Sequence, residues 1–196
     1  MRRILCIASV VLLCSGLNAS AEQTLVFLRH AEKPAAGLGQ LTCQGLNRSL
    51  ALPTVLIGRY GTPDFVYAPN PDVKMIDGTE SYYYVRPLAT IEPTAIRASK
   101  SVNTKYGFNE ISGLESLLIQ KSKADSTIFI AWDHTYMPQL VQHIMNEYGG
   151  GVKVPAWVTG DYDTLYVVRV NYTGSISATF HVEKEGLNGQ STSCPQ

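Results

Sequence analysis

The sequence contains little charge and no excess of either sign. Of its 196 residues, 16 are Lys or Arg and 16 are Asp or Glu, so the charged fraction is 16% and the formal net charge is zero. A nucleic-acid-binding protein needs a basic surface to neutralise phosphates. A net charge of zero therefore argues against nucleic-acid binding, and any positive charge that binds an anion must be local. Because 45% of the residues are apolar, the chain can form a packed core, and intrinsic disorder is excluded.

Signals for repeats, linkers and metal sites are also missing. No segment repeats at a period of about 20 to 50 residues, and no long Pro/Gly/Ser stretch divides the chain. The four histidines show no metal-ligand spacing. We therefore predict a single domain over residues 22–196, with no metal and no other cofactor.

Residues 1–21 have the features of a secretory signal peptide. Arg2 and Arg3 precede an apolar run from Ile4 to Cys14, and small residues follow at positions 18–21. The apolar run is much shorter than the roughly 20 residues that span a bilayer, so we predict no stable membrane insertion. The mature protein is then periplasmic or secreted, and it is mildly acidic because cleavage removes two arginines.

Cleavage of the signal would leave two of the four cysteines, Cys43 and Cys194. In an oxidising compartment the two can form one disulfide that closes a long loop. The alternative is two free thiols, because Cys194 lies in a polar C-terminal tail whose order the sequence does not establish.

Short apolar runs alternate with helical patterns along the mature chain. Residues 24–28 and 127–132 are typical of strands buried in a parallel sheet, and residues 65–67 form a weaker third candidate. Helical periodicity covers residues 45–56, 88–102, 111–121 and 138–148, and residues 163–170 and 177–183 indicate a closing antiparallel hairpin. This alternation predicts an α/β fold with a mostly parallel central sheet.

Two histidines follow the two strongest predicted strands. Arg29 and His30 come directly after the first strand, and His134 comes just after the second. Open α/β sheets bind ligands outside the carboxyl ends of their strands, and a helix that begins near Pro138 would add its N-terminal dipole there. An arginine, two imidazoles and a helix dipole are suited to a tetrahedral anion, most simply a phosphoryl group.

Four segments resemble motifs of the histidine phosphatase superfamily, also called phosphoglycerate-mutase-like, and they occur in the family's order. The segments are the Leu-Arg-His-Ala-Glu of residues 28–32, the Leu-Thr-Cys-Gln-Gly-Leu-Asn-Arg of residues 41–48, the Arg-Pro-Leu-Ala-Thr of residues 86–90, and the Ile-Ala-Trp-Asp-His of residues 130–134. The resemblance implies a three-layer α/β/α sandwich, with the antiparallel hairpin at the C-terminal edge of the sheet.

The resemblance also implies roles for the residues at the strand ends. His30 would attack phosphorus and become a phosphohistidine, while Arg29, Arg86 and His134 would bind the phosphoryl oxygens. Such a protein would be a metal-independent phosphatase acting on a small phosphorylated substrate. A non-catalytic phosphate-binding or interaction protein on the same fold is the alternative, and a mutase is a third possibility.

Three assignments stay open. Glu110 is the first candidate for the acid that protonates the leaving group, with Asp133, Glu92, water or the substrate itself as alternatives. Strand alternation would point the Asp133 side chain away from His134. Arg48 is the alternative to Arg86 as the second phosphate-binding arginine, because residues 72–85 interrupt the family pattern before Arg86. Residues 70–84 form either a rim over the pocket or a surface loop. The sequence identifies neither the ester nor the oligomeric state.

Overall fold

The computed structural model describes residues 21–196. The predicted signal peptide, residues 1–21, therefore lies outside the described residues except for Ala21, and both its cleavage and the export it implies stay predictions. Within the described part of the chain, no helix is both long enough and apolar enough to cross a membrane.

Residues 21–196 contain eight strands and four α-helices. The strands are β1 (Glu22–Arg29), β2 (Phe65–Tyr67), β3 (Lys74–Asp77), β4 (Glu80–Tyr83), β5 (Val102–Asn103), β6 (Thr127–Trp132), β7 (Thr164–Asn171) and β8 (Ser177–Lys184). The helices are α1 (Cys43–Tyr60), α2 (Arg86–Arg97), α3 (Ile111–Leu118) and α4 (Met137–Tyr148).

Six strands form one sheet in the order β5, β2, β6, β1, β7, β8. The first four are parallel to their neighbours, whereas β7 is antiparallel to β1 and β8 is antiparallel to β7. The predicted α/β fold, with a mostly parallel sheet and a C-terminal antiparallel hairpin at its edge, is confirmed. The remaining strands, β3 and β4, pair with each other in a separate antiparallel hairpin.

The sheet is covered on both faces, which makes the fold a three-layer sandwich. Val26 and Leu28 of β1 belong to a buried core with residues of α1 and α2, and the alternate residues Leu25 and Phe27 belong to a second core with α3 and α4. This alternation explains why the sequence of β1 is apolar almost throughout, as expected for a strand buried on both faces.

Two predicted helices end earlier than their periodicity indicates. The helix predicted over residues 111–121 ends at Leu118, and α2 differs more. The pattern over residues 88–102 predicted a helix to Val102, but α2 ends at Arg97. Ser99 adopts a left-handed φ of 55°, which breaks the helix, and Val102 pairs with Val66 of β2 instead. The C-terminal part of this prediction was wrong because strand pairing overrides the helical pattern there.

The start of α1 packs against the loop that follows β1. The Thr42 hydroxyl caps the helix by accepting the Gly45 N–H at 3.1 Å, and the Thr42 N–H donates to the Glu32 carbonyl at 2.9 Å. A Cβ on Gly45 would lie 2.4 Å from that Glu32 oxygen, so only glycine permits this approach. The requirement explains the glycine in the second of the four motif segments.

The C-terminal tail is attached to the same end of α1. Cys43 and Cys194 form a disulfide with their Cα atoms 4.5 Å apart. The side-chain amide of Asn47 donates to the carbonyls of Ser191 and Ser193 at 2.8 and 2.7 Å. Of the two alternatives for the cysteines, the structure has the disulfide, and it holds the polar tail on the body of the protein.

We expect the double substitution Cys43→Ser and Cys194→Ser to destabilise the mature protein. The disulfide spans 151 residues of sequence, and in the chain-entropy model a loop of this length contributes about 4–5 kcal/mol. Urea denaturation of both forms would measure the loss. Thiol titration of the unreduced, denatured protein should find no free thiol, and two reactive thiols would show that the bridge does not form.

Candidate active site

His30 follows β1 directly and is almost completely buried, with 1% of its surface exposed. Its Nδ1 lies 2.7 Å from the carbonyl oxygen of Ala31. A carbonyl can only accept, so Nδ1 carries the proton and donates it, which leaves Nε2 with a free lone pair. Burial, and then the charge of Arg86, hold the pKa of His30 well below its usual value. His30 is therefore a neutral imidazole whose Nε2 lone pair is available.

His134 lies beside His30 because of the register of the sheet. β1 and β6 pair in parallel with Arg29 opposite Trp132, so the residues that follow the two strands meet at one edge. The ring centroids of His30 and His134 are 6.3 Å apart, and the rings are nearly perpendicular. Burial and the charge of Arg29 lower the pKa of His134, although Asp133 acts in the opposite direction.

Two buried arginines accompany the histidines. Arg29 is the last residue of β1, and its guanidinium lies 4.4 Å from the centre of the Tyr162 ring. Arg86 is the first residue of α2, and its guanidinium lies 4.9 Å from the centre of the Tyr84 ring. The positive charges of Arg29 and Arg86 both act to lower the pKa of His30.

Three buried nitrogens of these side chains have no hydrogen-bond partner among the described residues: Arg29 Nε, Arg86 Nε and His134 Nδ1. Buried polar groups in proteins are nearly always hydrogen-bonded. The three side chains lie near one another at one edge of the sheet, so one ligand with several acceptor oxygens would satisfy them. A phosphoryl group presents three such oxygens.

A cavity of about 550 Å³ opens at this edge of the sheet. His30, Arg86 and His134 line it, and so do residues 74–77 of the β3–β4 hairpin. Residues 70–84 were predicted to form either a rim or a surface loop, and the hairpin in this segment forms part of the cavity wall. In residues 21–196 no group of three His, Cys, Asp or Glu side chains is arranged to hold a metal ion.

Asp77 connects the hairpin to the cations of the site, and the sequence analysis missed it. Its carboxylate is buried and forms ion pairs with Arg86 Nη1 and Lys33 Nζ. Burial acts to raise the pKa of Asp77, but the hydrogen bond from Lys33 and the charge of Arg86 outweigh it, and the pKa is lowered. Asp77 is thus an anion that holds Nη1 of Arg86, while Nε of Arg86 has no partner among residues 21–196.

Asp133 lies in the cavity wall, contrary to the expectation that strand alternation points it away from His134. β6 ends at Trp132, so Asp133 begins a turn and the alternation does not continue. Asp133 Oδ2 is 3.7 Å from His134 Nδ1 and accepts the Tyr84 hydroxyl at 2.9 Å, and Oδ1 accepts the Thr135 N–H at 2.8 Å. Both carboxylate oxygens therefore act as acceptors.

The structure does not bring Glu110 or Glu92 to the cavity. Glu110 is exposed at the start of α3, where its carboxylate accepts the Gly107 N–H at 2.6 Å. Glu92 is exposed on α2. Of the three acids considered as proton donors, only Asp133 lines the cavity. The position of Glu110 in the sequence after Arg86 therefore does not place its carboxylate in this cavity, because the carboxylate faces the Gly107 amide instead.

Arg48 is not part of the cavity, because carboxylates use its donors. It is 1% exposed and contacts Glu32 at 2.8 Å, Glu185 at 2.6 Å and Asp163 at 3.4 Å. Burial raises the pKa of Glu185 to about 8. The charge of Arg48 acts to lower this pKa, and the negative charges of Asp163 and Glu32 act to raise it. Arg48 therefore joins the loop after His30 to the C-terminal segment, and Arg86 is the second arginine of the site.

Comparison with known proteins identifies similar folds among solved structures. No protein-family model matches the sequence, and no curated protein matches it. Among solved structures, a candidate phosphohistidine phosphatase, SixA, from Nakamurella multipartitia has a TM-score of 0.54 and 14% identity, over 83% of this chain and 95% of its own.

Two further structures are similar at the same level. A mycobacterial glucosyl-3-phosphoglycerate phosphatase has a TM-score of 0.55 and 11% identity, covering 81% of this chain and 97% of its own. Phosphoglycerate mutase from Plasmodium falciparum has a TM-score of 0.53 and 11% identity, covering 81% and 89%. At these identities the likeness shows the fold alone, and that fold is phosphoglycerate-mutase-like.

We expect the Arg48 cluster to make the stability of the protein depend on pH. The pKa of Glu185 is raised in the folded state, so folding takes up a proton between pH 4.5, its usual pKa, and about 8. The stability that this group contributes to the folded protein is complete below pH 4.5 and is lost as the pH rises to about 8. Urea denaturation at pH 5, 7 and 9 would measure the slope.

Glu185→Gln should flatten this pH dependence, and Glu80→Gln on the exposed strand β4 should leave it unchanged. Equal slopes for the wild-type protein and Glu185→Gln would show that Glu185 is ionised in the folded protein throughout the window.

Proposed function

We propose that this protein is a phosphatase of the histidine phosphatase superfamily that hydrolyses phosphate monoesters through a phosphohistidine on His30, without a metal. One observation carries the proposal. A neutral His30 with a free Nε2 lies at the same sheet edge as the three unpartnered nitrogens of Arg29, Arg86 and His134. A nucleophile beside a set of oxygen-binding donors is what in-line phosphoryl transfer requires.

In the first step, Nε2 of His30 attacks phosphorus and forms a P–N bond, while the P–O bond to the alcohol breaks and its electron pair leaves with the alcohol oxygen. The two guanidinium groups and His134 hold the three equatorial oxygens, where negative charge is spread in the transition state. The hydrogen bond from Nδ1 of His30 to the Ala31 carbonyl fixes the ring and stabilises the positive charge that the imidazole gains.

In the second step, water attacks phosphorus and the P–N bond breaks, which returns neutral His30 and releases inorganic phosphate. The same donors stabilise both transition states, because the phosphoryl oxygens occupy the same places in each. The mycobacterial glucosyl-3-phosphoglycerate phosphatase that shares the fold has been solved with inorganic phosphate, which is the product of such a reaction.

Asp77 would act in this reaction through Arg86. Its ion pair with Nη1 holds the guanidinium of a 2% exposed arginine in one orientation. Nε, which has no partner in the described residues, then stays available for a phosphoryl oxygen. A positioning carboxylate of this kind reduces the reorganisation that the donors need when the transition state forms.

We further propose that the mature protein works in the periplasm or outside the cell. The signal-like residues 1–21 support export, and a disulfide between Cys43 and Cys194 is typical of proteins that fold in an oxidising compartment. A non-catalytic phosphate-binding protein remains the second candidate function, and it differs from the first in lacking turnover.

We expect residues 22–196 to hydrolyse phenyl phosphate in the presence of EDTA and His30→Ala to lose at least about a thousandfold in kcat, because the nucleophile is removed. A quench with labelled substrate should trap an adduct that is labile to acid and stable to alkali, as a phosphohistidine is. His143→Ala, on an exposed histidine of α4, is the matched control.

Turnover that survives in His30→Ala would contradict the nucleophile assignment. An alkali-labile adduct would indicate a carboxylate instead. Phosphate binding without any turnover in the wild-type protein would favour the non-catalytic candidate.

We expect Asp77→Asn to lower kcat by about ten- to a hundredfold, because Arg86 loses the anion that orients it. Inorganic phosphate should also inhibit the variant less strongly than the wild-type protein. Thermal unfolding of both forms would separate this effect from a loss of fold, since breaking a buried ion pair is itself destabilising. Tighter phosphate binding in Asp77→Asn would show instead that Asp77 competes with phosphate for Arg86.

A further inference from the structure

The cavity is larger and more apolar than a phosphoryl group requires. Besides the cations at the sheet edge, Met75 and Ile76 of the hairpin and two aromatic residues, Phe108 and Tyr136, line its volume of about 550 Å³. Ile76 is 77% exposed, so most of its side chain is open to a ligand in the cavity. The phosphoryl group would occupy one end of this cavity, and the rest is suited to an apolar leaving group.

The aromatic part of the wall is held in place. The Phe108 carbonyl accepts the Trp132 indole N–H at 2.9 Å, which fixes the backbone next to the end of β6. The Phe108 ring meets the Tyr84 ring edge-on at 5.4 Å and the Tyr136 ring at 5.7 Å, while Phe108 and Tyr136 stay partly exposed to the cavity. Rigid, partly exposed rings favour a flat apolar ligand, because little conformational entropy is lost on contact.

The two carboxylates of the cavity wall provide a second, independent argument. Asp77 accepts from Lys33 and Arg86, and Asp133 accepts from Tyr84 and Thr135, so protein donors hold both carboxylates and neither is directed at a leaving group. No glutamate lines this cavity within residues 21–196. An alkoxide leaves slowly without a proton donor, whereas a phenolate, whose conjugate acid has a pKa near 10, needs little help.

We propose that this site selects phosphate monoesters of phenols, with Phe108 and Tyr136 contacting the aryl group. The proposal rests on the phosphatase function given above. When His30 attacks, the ester P–O bond breaks, its electron pair leaves with the phenol oxygen, and solvent supplies the proton that the released phenolate takes up.

Binding of phosphonates would test aryl recognition without turnover. Calorimetry should show that phenylphosphonate binds about tenfold more tightly than methylphosphonate, as expected for one aromatic contact. This ratio should fall towards one in Phe108→Ala and in Tyr136→Ala. Phe65→Ala, which removes a partly exposed phenylalanine of β2 that does not line the cavity, should keep the wild-type ratio.

Turnover of three esters would separate the leaving group from the ring. Phenyl phosphate has a ring and a good leaving group, 2-phenylethyl phosphate has a ring and a poor one, and ethyl phosphate has neither. We expect kcat/KM to fall by orders of magnitude from the first to the second, and by about a further tenfold to the third. The last step should disappear in Phe108→Ala.

The outcomes distinguish this proposal from the one on which it rests. Turnover of all three esters with no effect of the ring, and a phosphonate ratio near one, would overturn the aryl selectivity and leave the phosphatase function standing. Equal rates for phenyl and 2-phenylethyl phosphate would reveal a proton donor and overturn the leaving-group argument. No turnover of any ester and no phosphonate binding would overturn both proposals.

Discussion

The parallel pairing of β1 with β6 is the constraint on which the site depends. The register that sets Arg29 opposite Trp132 ends both strands at one level, so that His30 and His134 face each other across a short distance. Both strands are buried on both faces, so a one-residue shift of register would exchange the side chains of the two cores and disrupt the packing of both. The core that stabilises the sheet therefore also fixes the geometry of the two imidazoles.

Two buried arginines show how the number of neighbouring carboxylates decides what a cation does. Arg48 contacts three carboxylates, and its donors bind Glu32, Glu185 and Asp163 within the protein. Arg86 is equally buried but has one carboxylate, Asp77, which leaves Nε without a partner in the described chain. The first arrangement is structural, and the second supports the binding of an external anion.

The sequence predicted the features that depend on local pattern. The continuous apolar runs located β1 and β6, and the residues after them located His30 and His134, because the ends of parallel strands meet whatever the rest of the chain does. The glycine in the second motif segment has its explanation in the close approach of Gly45 to Glu32. The predictions of the two strands and of the two histidines required neither long-range distances nor side-chain partners, whereas the reason for the glycine came from the structure.

The inferences that failed required partners far away in sequence. Asp77 is distant from Lys33 along the chain and sits in a hairpin that interrupts the family pattern, so no spacing rule connects the two. Glu110 has the right spacing after Arg86, but its carboxylate turns to the Gly107 amide. Helical periodicity extended α2 to Val102, because periodicity does not register the competing pairing with β2. The prediction that Asp133 points away from His134 was wrong for a related reason: β6 ends at Trp132, so strand alternation does not extend to Asp133.

In the β3–β4 hairpin, a carboxylate offsets part of the positive charge of the site. Met75 and Asp77 alternate with Lys74 and Ile76 along β3, and both Met75 and Asp77 lie against Arg86. Asp77 neutralises part of the charge that would attract an anion from a distance, so long-range steering is weak. In return, the carboxylate fixes the arginine that would meet the phosphoryl oxygens, and donors held in place contribute more to a transition state than mobile ones. A chain with no overall field can thus support anion chemistry, provided that its few buried cations are oriented before the substrate arrives.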